Sequence, residues 1–375
     1  MTPTKTKSKS KYRAVKITAI VIAAVLVVLF AAATVIVSIN MDKKFGRADY
    51  YPEESSVEYL YSHYESEYPR ENVTFTSCGN TLQAYIYGSD NDKGLLVFAH
   101  GISSGHERYL NTLMWFVDNG WRVFTYDATG SGYSGGEGTK GLPQSALDLD
   151  AALDYIEADP ELSALPRFLM GHSWGGYAVT AVLNFGHEVD GVASISGYAE
   201  PVEMIYEFAK GVVGGARPLL YPSIWLYNKM LFGEYAGLSA VDGINATDAP
   251  ILIIHGTEDE TIGYTESAII NKRGDITNPN VQYITLDGCT HRGMFDTPEG
   301  GAVKQEINEK LAAIAKEAGY KHTSDLLPDP SDEVKAVFSA ADLDAVNEPN
   351  VEFLSQIEAF FDGILEQNGA DGEAA

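Results

Sequence analysis

Gly171-His172-Ser173-Trp174-Gly175 is a G-x-S-x-G pentapeptide, and its flanks decide the fold. Residues 167–170 (RFLM) run apolar into the first glycine. Residues 176–184 (GYAVTAVLN) continue in small and apolar types that suit a helix. The segment reads as strand, sharp turn, helix. A serine at such an elbow sits on a strained turn with its hydroxyl presented for attack. The glycines permit strand and helix to approach closely. The following helix aims its N-terminal dipole at the same spot, favouring developing negative charge there. Ser173 is therefore a candidate nucleophile, provided an acid and a histidine follow on later strand ends.

The neighbouring sequence supplies those strands. Residues 94–99 (GLLVFA) are a continuous apolar run, as a buried strand needs, and 121–126 (WRVFTY) are the next. Residues 189–196, 249–255 (APILIIH) and 281–286 (VQYITL) read the same way. Between them, residues 110–119 are helical in pattern, and 145–158 form an amphipathic helix with Leu147, Ala151, Leu153 and Ile156 as its apolar set. Residues 73–77 and 82–87 alternate with period two around Gly79-Asn80 and predict a hairpin. The Tyr- and Glu-rich residues 50–69 predict a helix on the outside of the domain. Strands alternating with helices predict an α/β domain, its sheet mostly parallel with helices on both faces and one antiparallel edge. The domain spans residues 50–199 and 249–366.

Residues 200–248 interrupt the alternation. They are too long for a simple crossover and rich in large apolar groups, among them Met204, Phe208, Trp225, Tyr227, Met230 and Phe232. They predict a helical cap inserted before the acid-bearing strand, its aromatic and Met side chains lining an apolar pocket. Residues from 299 onward hold helical stretches broken at Pro328-Asp329-Pro330. Phe353, Ile357, Phe360 or Phe361, and Ile364 mark a last helix docking on the sheet. Residues 367–375 are expected to be a loose tail.

The strand at 249–255 runs into Gly256-Thr257-Glu258-Asp259-Glu260. A carboxylate there lies at the carboxyl edge of a parallel sheet, where open α/β folds build their sites. Asp259 is the preferred acid, with Glu258 and Glu260 as alternatives. The strand at 281–286 runs into Asp287-Gly288-Cys289-Thr290-His291. His100, His106, His172 and His255 have structural readings at strand ends or in a loop, whereas His291 follows the acid after another complete strand. The order Ser173, Asp259, His291 is that of a Ser–acid–His triad on a strand–helix elbow. For the oxyanion, the Trp174 N–H is one donor. The Ile102 N–H, after Gly101 at the end of an early strand, is the second.

The N-terminus is a separate object. Residues 1–16 carry Lys5, Lys7, Lys9, Lys11, Arg13 and Lys16 and no acid, while residues 17–39 carry no charge. An uncharged run of that length can cross a roughly 30 Å hydrocarbon core as a helix. The basic excess precedes it, so the head is expected to stay cytoplasmic and the rest to be exported on a single-pass anchor. The competing reading is a signal peptide cleaved at Ala31-x-Ala33, giving a secreted protein. The chain carries a net charge of −26 and its first forty residues +6, so the remainder carries −32. That excess argues against nucleic-acid binding. Cys78 and Cys289 are the only cysteines, too few for a disulfide framework. No metal-ligand cluster or phosphate loop is evident, so no cofactor and no metal is expected.

On His100-Gly101 with Arg108-Tyr109, residues 127–134 (DATGSGYS), the 171–175 elbow, residues 255–259 (HGTED) and His291, the sequence resembles the α/β-hydrolase superfamily. It looks most like the serine-aminopeptidase and monoacylglycerol-lipase-like group of esterases and lysophospholipases. The resemblance covers about residues 73–291 plus the final helix. It implies the α/β-hydrolase fold and a structural role for Asp127 and Ser134. The long cap, residues 301–330 and the membrane segment depart from the group's pattern.

The expected function is membrane-anchored, extracytoplasmic serine hydrolysis of a small-molecule ester with an apolar acyl or aromatic part, through an acyl-enzyme. One alternative is an exopeptidase of the same fold (proline-iminopeptidase-like), with Glu200, Glu203 or Glu207 receiving the substrate's amino group. The other is a non-catalytic hydrolase-like binding module.

Overall fold

The structure is a computed structural model describing the backbone of residues 6–374 and the side chains of residues 12–370. Lys5, the side chains of Lys7, Lys9 and Lys11, and the last residue of the expected tail lie outside the described residues.

Helix α1 (Thr6–Lys44) contains the whole uncharged run, and its side chains from 17 to 32 are exposed. Residues 50–69 depart from the expected helix: only α2 (Tyr61–Tyr64) and a short 3-10 turn at Glu53–Ser55 form. The reason is tertiary. The Tyr50 hydroxyl donates to Asp127 Oδ1 at 2.6 Å, and Glu107 accepts the Tyr61 N–H at 2.9 Å, so the segment is stretched across the domain.

The expected hairpin forms as β1 (Arg70–Ser77) and β2 (Asn80–Tyr87). After them come β3 (Leu95–Ala99), α3 (Leu110–Asp118), β4 (Arg122–Tyr126), α4 (Gln144–Ala158), β5 (Arg167–His172), α5 (Trp174–Ala181) and β6 (Gly191–Ile195). The residues between strands 6 and 7 hold α6 (Pro201–Val213), α7 (Tyr221–Phe232) and α8 (Ala240–Asn245). Then follow β7 (Ile251–Gly256), β8 (Val281–Leu286), α9 (Pro298–Ala318), α10 (Asp332–Ser339), α11 (Leu343–Asn347) and α12 (Val351–Ala374).

The strands form one eight-stranded sheet in the order β1-β2-β4-β3-β5-β6-β7-β8. β1 and β2 pair antiparallel, β2 meets β4 antiparallel, and every pairing from β4 to β8 is parallel. β3, β5, β6 and β7 are buried along their whole length, as strands covered on both faces must be. One face packs on α4, α5 and α8, and the other on α3 and α12. Along α4 the buried set is Ala146, Leu149, Ala152, Leu153 and Ile156. Leu149 and Ala152 are thus buried where Leu147 and Ala151 were expected; those two are only half-buried. Of the pair Phe360–Phe361 in α12, Phe361 is the buried one, alongside Phe353.

α12 extends through residues 367–374, where a loose tail was expected. Extending an existing helix costs little once it is nucleated, and Asn368 donates to Asp190 Oδ1 at 3.0 Å. α9 and α10 enclose a small core of their own, with Ile307, Leu311, Val334 and Phe338 at its centre. Cys78 and Cys289 are both free thiols.

Candidate active site

β5 ends at His172 and α5 begins at Trp174, leaving Ser173 alone on the turn with φ 59° and ψ −112°. That conformation is costly for any residue with a Cβ and persists only where the surroundings impose it. Here the Ser173 N–H donates to the Ile195 carbonyl at 2.8 Å, and its carbonyl accepts the Tyr177 N–H at 3.0 Å. The strand and helix cross so closely that a Cβ on Gly175 would overlap the Ala99 carbonyl oxygen. Gly175→Ala should therefore destabilise the fold by about 1–3 kcal/mol, read as a fall in the thermal midpoint; an unchanged midpoint would contradict the packing.

Three residues from three sheet ends converge. The Ser173 hydroxyl lies 2.9 Å from His291 Nε2, and His291 Nδ1 lies 2.7 Å from Asp259 Oδ2. All three are buried, Ser173 being 5% exposed. Asp259 is fixed by its own turn: its Oδ1 accepts the N–H groups of Thr261 at 2.9 Å and Ile262 at 2.8 Å. Burial by itself would raise its pKa. Hydrogen bonds from His255 and His291, the charge of His291 and the Ile262 N–H outweigh it and hold the carboxyl well below the usual carboxylate range. Of the alternative acids, Glu258 is exposed, and Glu260 accepts the His291 backbone N–H at 3.2 Å.

The oxyanion candidates flank the serine. Trp174 opens α5, so no helical carbonyl lies one turn back to accept its N–H. Ile102 follows Gly101 in the loop after β3, where Ser103 also has a positive φ of 56°. His100 holds this loop: its Nδ1–H donates to the Gly101 carbonyl at 2.7 Å, and its Nε2 accepts the Ala128 N–H at 2.9 Å. Burial lowers its pKa, consistent with a neutral ring accepting at one nitrogen.

The sequence reading missed a second tier. His172 Nε2–H donates to the His291 carbonyl at 2.9 Å, and its Nδ1 accepts the Tyr109 hydroxyl at 2.9 Å. The Tyr109 oxygen in turn accepts the Gly101 N–H at 3.2 Å and Arg292 Nη1 at 3.1 Å. Burial, followed by the neighbouring His291 and Arg292, pushes the His172 pKa well down, so this imidazole is a neutral spacer. The only sequence signals were its place inside the pentapeptide and the adjacency of Arg292 to His291. Glu58 balances Arg292 and Arg108; burial opposes ionisation, but their charges and that of Lys304 bring its pKa down to about 2.

Asp127 and Ser134 lie in the loop after β4. Asp127 is fully buried and accepts from Tyr50, from both the backbone and the ring of His106, and from the Tyr133 N–H. Among residues 200–248, Glu203 pairs with Lys272 at 2.9 Å. Glu207 accepts the Gly263 and Ser267 N–H groups and the Ser267 hydroxyl. Glu200 is half-buried, and burial raises its pKa, with Glu203 adding to it. Met204, Ile205, Ile224 and Tyr227 are buried in the same apolar cluster as Trp174 and Tyr177. Trp225 and Met230, expected to face a pocket, are exposed instead, as is Leu231. A cleft of about 1410 Å³ opens beside the Ile102 loop, with Tyr50, Ser103, Ser104, Arg108 and Tyr133 among its walls.

Sheet order and the strand–helix elbow together define the α/β-hydrolase fold. Residues 90–234 match the family model described as Hydrolase_4, serine aminopeptidase S33. A monoacylglycerol lipase of Mycolicibacterium smegmatis is 24% identical over 283 residues, covering 65% of this chain and 98% of that protein. The uncharacterized protein YfhR of Salmonella typhimurium is 26% identical over 210 residues, covering 52% of this chain and 67% of its own. Similar solved structures include the Pyrococcus furiosus esterase Pf2001, with TM-score 0.47 and 19% identity over 68% of this chain and 94% of that one. The Butyrivibrio proteoclasticus esterase Est1E with ferulic acid bound has TM-score 0.45 and 19% identity, covering 58% of this chain and 90% of its own. The chain has the α/β-hydrolase fold, and its sequence is similar to hydrolases of the esterase/lipase type.

Proposed function

We propose that the protein is a membrane-anchored serine hydrolase cleaving carboxylic esters with an apolar acyl or aromatic part, its catalytic domain outside the cytoplasm. The observation that carries the reading is the unbroken hydrogen-bond chain from Ser173 through His291 to Asp259, starting at a strained elbow. His291 Nε2 takes the Ser173 proton as Oγ attacks the acyl carbonyl. Asp259 stabilises the imidazolium, and the proton passes to the leaving alcohol. Water, activated by the same base, then frees the acid and regenerates Ser173. The Ile102 and Trp174 N–H groups hold the oxyanion, each worth roughly 3 kcal/mol.

Of the three acids the exopeptidase alternative needs, Glu203 and Glu207 are already engaged by Lys272 and by the loop at 263–267, which leaves Glu200 as its candidate. A panel of p-nitrophenyl esters set against aminoacyl-anilides tests the choice. Turnover of the esters is expected, and preferential cleavage of the anilides would overturn the ester reading. The non-catalytic reading would return if neither series were turned over. For the anchor, the support is α1, whose residues 12–44 are long and apolar enough to cross a membrane. Retention of the full chain in carbonate-washed membranes is the matching test.

Tyr109 acts here as a positioning residue, joining the Ile102 loop to the His291 backbone through His172. Tyr109→Phe should lower kcat by about 10- to 100-fold while leaving KM nearly unchanged, the cost of a small misplacement of reacting groups. A purely structural role would appear as a lower melting temperature with kcat retained.

A further inference from the structure

The strongest unexplained feature is the outer surface of α6, α7 and their connection. Val212, Leu219, Trp225 and Met230 are each at least half exposed, the last at 73%. Tyr221, Trp225 and Lys229 lie one helical turn apart along one exposed side of α7. Large apolar side chains exposed together on one segment point to an interaction surface.

Its charge is unlike the rest of the chain. From Phe208 to Phe232 there are Lys210, Arg217 and Lys229 and no acid, in a protein of net charge −26. Glu266, from outside the segment, pairs with both Lys210 and Arg217, so one carboxylate serves two bases. Basic residues interspersed with Trp, Tyr and Leu are the composition of a surface that lies in a lipid headgroup layer.

The fold puts this surface next to α1. Val37 and Phe45 are buried, Met41 packs against the main core, and α1 runs along α7. The Tyr227 hydroxyl donates to Asp42 Oδ1 at 3.3 Å, and the Lys44 ammonium lies 4.0 Å from the centre of the Phe208 ring. At about 1.5 Å per residue, the five steps from Ile39 to Lys44 put the contacts with Tyr227 and Phe208 within about 8 Å of the end of the uncharged run, measured along α1. The strap continues into the domain: Arg47 donates to the carbonyls of Gly132, Ser134 and Gly136. These contacts limit rotation of the domain about α1.

We infer that the exposed side of α7 carrying Tyr221, Trp225 and Lys229 is a membrane-docking surface that enters the headgroup layer of the bilayer spanned by α1. This rests on the reading of α1 as a membrane span. The anionic remainder of the domain is repelled by an anionic membrane surface, which favours this one orientation.

The test uses the full chain reconstituted into nanodiscs of phosphatidylcholine and phosphatidylglycerol, prepared with or without bromine near the top of the acyl chains. Of the other tryptophans, Trp121 and Trp174 are buried and Trp115 lies on the opposite sheet face. The expected result is dimmer tryptophan emission in brominated discs, with that loss removed by Trp225→Phe. Emission indifferent to bromine in chain that has entered the discs overturns the docking surface and leaves the anchor standing. Equal quenching in Trp225→Phe overturns it as well. Chain that fails to enter the discs overturns the anchor reading and the docking surface together.

Discussion

Ser173→Ala is expected to remove ester hydrolysis almost completely, lowering kcat by roughly a millionfold, as loss of a triad nucleophile does. The substitution deletes one oxygen from a buried side chain whose backbone is fixed independently, by the Ile195 carbonyl and the Tyr177 N–H. The fold should survive it, with an unchanged circular-dichroism spectrum and melting temperature. Labelling by a fluorophosphonate, which reports an activated serine hydroxyl directly, should vanish in the same variant. Residual turnover above water from the oxyanion donors alone is anticipated. Persistent labelling would move the nucleophile elsewhere and remove the functional reading with it. Unfolding of the variant would leave labelling uninformative, and Ser173→Gly, which relieves the positive φ as well as removing the hydroxyl, would then decide the point.

What was legible in the sequence follows a physical line. β5, the elbow and α5 could be read because the glycines at 171 and 175 answer a steric demand made within a few residues of each other. β7 could be read because a strand buried on both faces is apolar without interruption, and β8, at the sheet edge, because its Val, Tyr, Ile and Leu are broken only by the exposed Gln282 and Thr285; the candidates Asp259 and His291 followed from where these strands end. Residues 50–69 could not be read. Their conformation is set by Tyr50 and Asp127, which are far apart in sequence, and no local pattern carries that contact. His172 was passed over for a related reason: its role depends on Tyr109 and the His291 carbonyl, each brought in by a different element. The apolar content of residues 200–248 announced burial, yet composition does not say which side chains face in. Met204 and Tyr227 do, whereas Trp225 and Met230 face out.

Asp259→Asn should cost about 10⁴-fold in kcat, the scale set by a triad acid changed to its amide, and the geometry gives the reason. Oδ1 of Asp259 accepts two backbone N–H groups, from Thr261 and Ile262. An amide at this position keeps its oxygen on those donors, since its NH₂ has nothing to offer them. The NH₂ must then take the place of Oδ2 and point at His291 Nδ1, now 2.7 Å from that oxygen. Faced with a donor, Nδ1 has to accept, so the ring proton moves to Nε2. There it confronts the Ser173 hydroxyl, and the imidazole has no lone pair left for the serine proton. Asp259→Ala removes the same negative charge but imposes no tautomer. It should retain more activity than Asp259→Asn, although it removes a larger part of the side chain. Steady-state kinetics on one soluble p-nitrophenyl ester, with both variants matched for folding by thermal melt, measure the difference. If the alanine variant were the slower of the two, the loss would be one of charge or ring orientation, and the pinned Oδ1 would have no part in setting the tautomer of His291.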